Sequence, residues 1–486
     1  MRIIKNTFFV VYEPSGAYEI LLSPNTYRRT MDLDTLLRSL EKIDVEYAEL
    51  RYEKIVSENM EMNNGELENV FEGTDEGIGI RVFHAGGWGF TSITSLKMED
   101  IVSAIEKAKR MAMSVSSRSP DRDVLAEDSG FRGAFKNING RNPMEVSYEE
   151  KISDLREIDS ILSVEKEIKM RNVRYYMNYS KKLLVNTVGS ELSHEVIRTY
   201  LAISAMALSE GKRSSYRGRV GKIGGYEIME DAFAEAEYVV EKTMNLLNAS
   251  TVKGGRYPVV LDQELAGVFI HEAVGHACEA DLVLSGQSIL AGKIGERIGS
   301  ELLTVYDDPT HNEGFGRIPF DDEGSEAKKK LLIEKGILRN YILSKETAAK
   351  LKMENNGGAR AESFLHPPIV RMSNTYIAEG DMSFEELLEG ISYGIYLKDS
   401  RGGQVDTATG TFMFNAQEAY EIVNGEIGKP LRDVSLSGST LEILHGIEGV
   451  GKDFSMGIGF CGKGQTVPVG HGSPHIRVRE AVVGGR

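Results

Sequence analysis

Two imidazoles, a carboxylate and a thiol fall within eight residues of the stretch Leu265-Ala-Gly-Val-Phe-Ile-His271-Glu272-Ala-Val-Gly275-His276-Ala-Cys278-Glu-Ala-Asp281. Imidazole nitrogen and thiolate sulfur are common metal donors, so this stretch reads as a metal site. Its spacing is H-E-x-x-x-H, one residue longer than the H-E-x-x-H of zinc proteases, which puts both histidines on one helix face. At about 100° per residue, five steps carry His276 to roughly 140° from His271, nearly the far side of a regular helix. Two histidines can share an ion here only if the helix breaks or bulges between them. Gly275, just before His276, is the residue type that allows such a break.

A third donor must come from elsewhere in a chain with two cysteines. Cys278 lies seven residues after His271, about 10 Å along a continuous helix axis and too far to share its ion. Burial as a small hydrophobe is the preferred reading for it, although a closed site with Cys278 as fourth ligand is an alternative. Cys461, in Gly457-Ile-Gly-Phe-Cys461-Gly-Lys-Gly, is the better choice, because a small-residue loop brings a thiolate close and offers backbone N–H groups to its sulfur.

The elements that must position these groups come next. Asp262 is an N-cap residue type, and Leu265, Val268, Phe269 and Ile270 make an apolar stripe that would bury the helix carrying His271. A buried-strand run, Tyr257-Pro-Val-Val-Leu-Asp, feeds that helix directly.

The stretch Gly-Val-Phe-Ile-His271-Glu272-Ala-Val-Gly-His276-Ala-Cys-Glu-Ala-Asp-Leu-Val resembles the signature of the TldD/PmbA family of metallopeptidases, once called modulators of DNA gyrase, and specifically its TldD-type half. Further stretches resemble the family: Gly73-Thr-Asp-Glu-Gly-Ile-Gly-Ile-Arg-Val, Ile318-Pro-Phe-Asp-Asp-Glu-Gly324, Arg371-Met-Ser-Asn-Thr-Tyr376, Arg401-Gly-Gly-Gln-Val-Asp406 and Cys461-Gly-Lys-Gly-Gln-Thr-Val-Pro-Val-Gly470. The resemblance runs from about Met31 to the C-terminus. It implies zinc held by His271, His276 and Cys461, with Glu272 as the catalytic carboxylate. It also implies a dimer, either homodimeric or a heterodimer with a PmbA-type paralogue lacking the metal motif. Two functions follow as expectations. One is a zinc-dependent peptidase acting on flexible or unfolded peptides. The other is a metal-stabilised peptide-binding or regulatory protein, such as a gyrase or antitoxin modulator, without turnover. An intact Glu272 beside a ligand favours the first, since a structural site has no use for that carboxylate.

With 486 residues, 41% hydrophobic and 27% charged, the chain can build two or three domains. A net charge of −16 argues against direct nucleic-acid binding, whose electrostatics call for a basic face. Two cysteines leave no disulfide framework and fit a cytoplasmic setting, and no apolar run approaches the roughly 18 residues of a membrane span.

The fold class is read as α+β, with boundaries at 30 and 250. Residues 1–30 are a poor signal peptide and read equally as an extension or a misplaced start. Residues 31–250 form an N-terminal domain. It begins with a helix capped by Asp32, followed by alternating strands broken at Asn63-Asn-Gly65 and helices over 97–115, 148–166 and 226–247. Residues 251–486 form a β-rich metallopeptidase domain, barrel or sandwich, with a lone helix over 381–391.

The remaining candidates carry less. His84, His311, His366, His445 and His475 read as structural or exposed, while His471, ten residues from Cys461, has a second reading as a transition-state donor. Arg401-Gly-Gly reads as a β-turn in preference to an edge that receives a peptide strand. Gly77-Ile-Gly-Ile lacks the third glycine and the helix of a dinucleotide loop.

Overall fold

The computed structural model describes residues 31–41, 43–117, 123–127 and 129–485. The reading of residues 1–30 as an extension or misplaced start lies outside the described residues.

Alternating apolar positions build β1 (Tyr47–Asn63), which turns at Asn64 and Gly65 into β2 (Glu66–His84). Both turn residues have positive φ, 47° and 83°, the geometry of a type I′ hairpin whose twist matches its strands. β3 (Gly87–Ile93), β4 (Arg132–Asn137), β5 (Ile168–Asn186), β6 (Glu191–Ser209) and β7 (Lys212–Ile223) complete one sheet. Its order is β3-β2-β1-β5-β6, with both β4 and β7 on the outer side of β6. All pairings are antiparallel except β4 with β6. The segments 173–178 and 183–186, readable as separate strands, are one strand, β5.

Ala48, Leu50 and Tyr52 at one end of β1 and Met60 and Met62 at the other share one face by the two-residue period of a strand. The helices α1 (Leu33–Leu40) and α2 (Met98–Ser116) cover the first set. Near the second set pack α3 (Tyr148–Leu162) and α4 (Ile228–Leu247). Asp32 and Ser147 cap α1 and α3 by accepting from the backbone N–H groups of Thr35 and Glu150.

The C-terminal half is a five-stranded closed barrel with a second sheet beside it. The barrel uses β8 (Gly255–Leu261), and the second sheet begins with β9 (Val305–Asp307), β10 (Lys330–Glu334) and β11 (Asn374–Ile377). The remaining barrel strands are β12 (Tyr393–Asp406), β13 (Thr411–Val423), β14 (Val434–Ser439) and, after the hairpin β15 (Ser455–Gly462) and β16 (Thr466–Ser473), β17 (Ile476–Gly485). The ring runs β12-β8-β17-β14-β13 and closes where β13 pairs back onto β12. Closure leaves the ring no free edge. The second sheet runs β10-β9-β11-β16-β15.

The helix that leads into His271, α5 (Gln263–Ile270), starts straight out of β8 and packs against β12 of the barrel and β15 and β16 of the second sheet. Asp262 caps it, accepting from Leu265 N at 2.8 Å. Phe269 is fully buried against Phe412 and Phe414 of β13. The helix expected over 381–391 is a short one, Phe384–Leu388, and further short helices occur at Lys345–Leu351 and Thr440–Gly446. Among the described residues no helix is long and apolar enough to cross a membrane.

Candidate metal centre

The helix does not stop after Ile270; it widens. His271–Gly275 form a π-turn in which His276 N–H donates to His271 O, five residues back. Closing a turn over five residues instead of four brings His276 round toward His271, which resolves the conflict in the spacing. A 3-10 turn, His276–Cys278, follows, and Glu279 leaves the helix in extended conformation (φ −70°, ψ 116°). Gly275 itself is right-handed helical, at φ −55° and ψ −55°, so its role is not to break the helix. A Cβ there would lie 1.9 Å from Met372 Sδ: the glycine lets the π-turn sit against that side chain.

Cys461 arrives from a strand and not from a loop. It sits in β15 opposite Val467 of β16, and Arg371 Nη2 donates to its carbonyl oxygen at 2.7 Å. Gly457 and Gly459 share its face. A Cβ on Gly457 would meet His471 Nε2 at 2.4 Å and Glu264 Oε2 at 2.5 Å, so the small residues admit α5 closely.

The donor atoms of His271, His276 and Cys461, all buried, lie within 4.8 Å of one another. Cys461 Sγ is 3.2 Å from His276 Nε2, and the two imidazoles stand nearly edge to face, 81° apart. Among the described residues His271 Nδ1 is a buried nitrogen with no hydrogen-bond partner. A soft thiolate, two imidazoles and an unshared nitrogen in one small cluster suit a borderline-soft divalent ion such as zinc. Burial alone would raise the Cys461 thiol, but His271 and His276 beside it outweigh this and bring it down to about 5. Cys278 behaves oppositely: burial, then Asp307 and Glu279, push its thiol well up, and it packs in the apolar core outside the cluster.

Glu272 is the group of this cluster left partly open, its side chain 29% exposed, with Oε2 3.8 Å from His276 Nε2. Behind His276 stands a residue the motif reading passed over. Fully buried Glu279 accepts from His276 Nδ1 at 2.8 Å and from Lys463 Nζ at 3.1 Å. Its other oxygen faces Arg371 Nε at 3.7 Å. Burial works against an imidazolium at His276, yet the Glu279 carboxylate holds its pKa well above the usual value. Glu279 stands three residues after the second histidine, a spacing that does not by itself mark it as the buried partner of that ring.

The weaker candidates also find their places. His471 lies 3.0 Å from Glu264 Oε2, and the same carboxylate takes Arg219 Nη2. His475 is held between Asp453 Oδ2 at 2.5 Å and the Tyr396 hydroxyl at 2.8 Å, and His366 Nδ1 meets Ser363 Oγ at 3.1 Å. His311 packs on Tyr376 and Phe454. Gly77 and Gly79 sit in β2 where Phe364 approaches; a Cβ on Gly79 would be 2.6 Å from Phe364 O.

A buried His–His–Cys cluster with an adjacent, partly open carboxylate could hold a metal ion, and sequence comparison gives the chain a family. Residues 48–112, 141–247 and 254–485 match the profiles described as PmbA/TldA metallopeptidase domain 1, central domain and C-terminal domain. The chain is 41% identical to a metalloprotease of Methanocaldococcus jannaschii over 446 residues, which cover 90% of this chain and 98% of that one. It is 33% identical to the zinc metalloprotease TldD homolog of Saccharolobus solfataricus, covering 92% and 99%. The crystal structure of TldE from Thermococcus kodakarensis has the same fold, with a TM-score of 0.74 at 20% identity, covering 93% of this chain and all of that one. The chain belongs to the PmbA/TldD family of metallopeptidases.

Proposed function

We propose that this metallopeptidase is zinc-dependent and hydrolyses flexible or unfolded peptides, with His271, His276 and Cys461 as ligands and Glu272 as general base. One observation carries the reading: three donor atoms gathered within 4.8 Å, with a partly exposed carboxylate 3.8 Å from one of them. Zinc bound by three protein ligands supplies Lewis-acid polarisation of the scissile carbonyl and a water acidified toward neutrality. Glu272, beside these ligands and partly open, is placed to hold a proton as general base and to release it as general acid, so one carboxylate would serve both halves of the hydrolysis. Glu279 keeps the His276 ring oriented, and Arg371 fixes the backbone of Cys461. The word zinc in the name of the Saccharolobus relative supports the metal identity.

A dimer, in homomeric form or with a PmbA-type paralogue, follows from the family resemblance of the motif, and the two free cysteines fit a cytoplasmic setting. Extended peptides are the substrates because the scissile carbonyl must reach a centre whose ligands are all buried, which a compact domain cannot do without local opening. The test is cleavage of one protein in folded and destabilised forms by wild type and Glu272→Ala. Wild type cleaves the destabilised form faster, and Glu272→Ala keeps its metal but cleaves neither. Equal rates on the two forms contradict the substrate assignment, and turnover by Glu272→Ala contradicts the base.

A further inference from the structure

A second pocket, of about 90 Å³, lies at the seam between the two halves, lined by Arg213, Ser214, Ser215, Leu246, Arg401, Arg432 and Asp433. Three arginines, Arg213 and Arg401 among the exposed residues and Arg432 half-buried, thus line one small space in a chain whose net charge is −16. Arg213 comes from β7 of the first sheet, Arg401 from β12 of the barrel, and Arg432 from the end of the neighbouring strand, Glu426–Arg432. Two of them are pinned by backbone. Arg401 Nη2 donates to Ser215 O at 2.8 Å and Arg432 Nη1 to Arg213 O at 3.3 Å.

Charge in the pocket is not balanced. Asp433 is its one carboxylate, 3.8 Å from Arg401 Nη1 and 3.9 Å from Arg432 Nε. Arg432 Nε is buried with no hydrogen-bond acceptor, while Arg213 is exposed. A buried donor left unpaired costs roughly 1–3 kcal/mol, so the arrangement gains from an acceptor placed between the arginines. Guanidinium groups match oxyanions two N–H groups at a time, which lysines could not do. The space, about 90 Å³, is on the scale of one small tetrahedral oxyanion.

We propose that this pocket binds one free tetrahedral oxyanion of phosphate size between Arg213, Arg401 and Arg432. The bound anion bridges β7 to the barrel strands and ties the two halves at a point separate from the metal ligands. The Arg401-Gly-Gly stretch thereby acquires a role: Gly402, at φ +89°, turns the chain beside Arg401, and the register of β12 on β13 shifts between Ser400 and Gly403.

Titration of the zinc-loaded full chain with inorganic phosphate at ionic strength held constant with sodium chloride tests the proposal, read by calorimetry and phosphorus NMR. Wild type binds one phosphate saturably; Arg401→Gln and Arg432→Gln each weaken it about ten-fold or more, the scale of a lost hydrogen bond to a charged group. Asp433→Asn removes the competing carboxylate and tightens binding, and asparagine tolerates the φ of +55° at that position, so this variant is suited to fold. Failure of wild type and Asp433→Asn to saturate overturns the proposal. So does binding of equal strength in Arg401→Gln, which would place the phosphate at the metal centre or nowhere in particular.

Discussion

His276 reaches the centre with its ring already held, because Glu279 engages Nδ1 and is itself anchored by Lys463 and Arg371. A carboxylate behind a metal-ligating imidazole fixes the tautomer and raises ligand basicity, and losing one typically costs about 10–100-fold in metal affinity. Glu279→Ala should therefore weaken zinc binding by about that factor in a competition titration with a chromophoric chelator, and Glu279→Gln, which keeps an acceptor, should recover part of it. Unchanged affinity in Glu279→Ala would make the contact incidental. The two cysteines differ in a way that pH exposes. In protein stripped of metal with a chelator, Cys461 has its thiol near 5, so its thiolate persists from neutrality down to about that pH and disappears below it. Alkylation by iodoacetamide should stay fast from pH 8 to 6 and fall off as the pH passes below about 5, whereas an unperturbed thiol of pKa about 8.5 would slow by roughly ten-fold per pH unit across the upper range. Cys278, buried and pushed up, should stay unmodified in folded protein. Residue types made the clustering of His271, His276 and Cys461 legible from H-E-x-x-x-H and the scarcity of cysteine. Glu279 was not legible, because nothing in a spacing reveals which carboxylate is buried behind an imidazole.

At the scale of elements, the five-residue spacing demands an irregular helix, and the π-turn supplies it. The glycine's reason lay elsewhere, in a tertiary neighbour invisible to helical geometry. Gly275→Ala puts a methyl group into Met372 Sδ, and overpacking of this kind costs about 1–3 kcal/mol. Loss of stability by about that amount, together with weaker zinc binding and restoration of both by adding Met372→Ala, is the expected pattern in denaturant melts and metal titrations. Gly275→Ala at full stability and full metal content would remove the packing explanation. The strand status of Cys461 was hidden because glycine is a poor strand former, and Gly457, Gly459 and Gly462 masked the alternation. Of these, Gly457 leaves room for the Glu264–His471 pair.

For the molecule as a whole, buried ion pairs join the two halves. Arg81 of β2 lies over Trp88 and reaches Glu323 Oε1 at 2.6 Å; Lys182 of β5 pairs with Asp322, which Arg51 also faces at 3.8 Å. Glu323 and Asp322 belong to the stretch Ile318-Pro-Phe-Asp-Asp-Glu-Gly324, whose acids serve this seam. Arg81→Ala leaves Glu323 and Glu49 buried without that cation and should cost about 3–5 kcal/mol in chemical denaturation. A loss below about 1 kcal/mol would mean that water reaches the seam. The α+β class and the β-richness of the C-terminal half were readable from periodicity, which left barrel and sandwich open until strand pairing decided for the barrel. The full length of β1 was not, because Glu53 and Glu58 interrupt the apolar alternation and are buried only by virtue of Lys182 and Lys151 on other elements.

A zinc centre made by His271, His276 and Cys461 sets the metal content of the chain, which mass spectrometry reads. Wild type and Cys278→Ser should each carry one zinc per folded chain and cleave an extended peptide, while His271→Ala, His276→Ala and Cys461→Ser, folded by circular dichroism, should lose both metal and cleavage. Full zinc occupancy in Cys461→Ser, or loss of zinc in Cys278→Ser alone, would contradict the assignment.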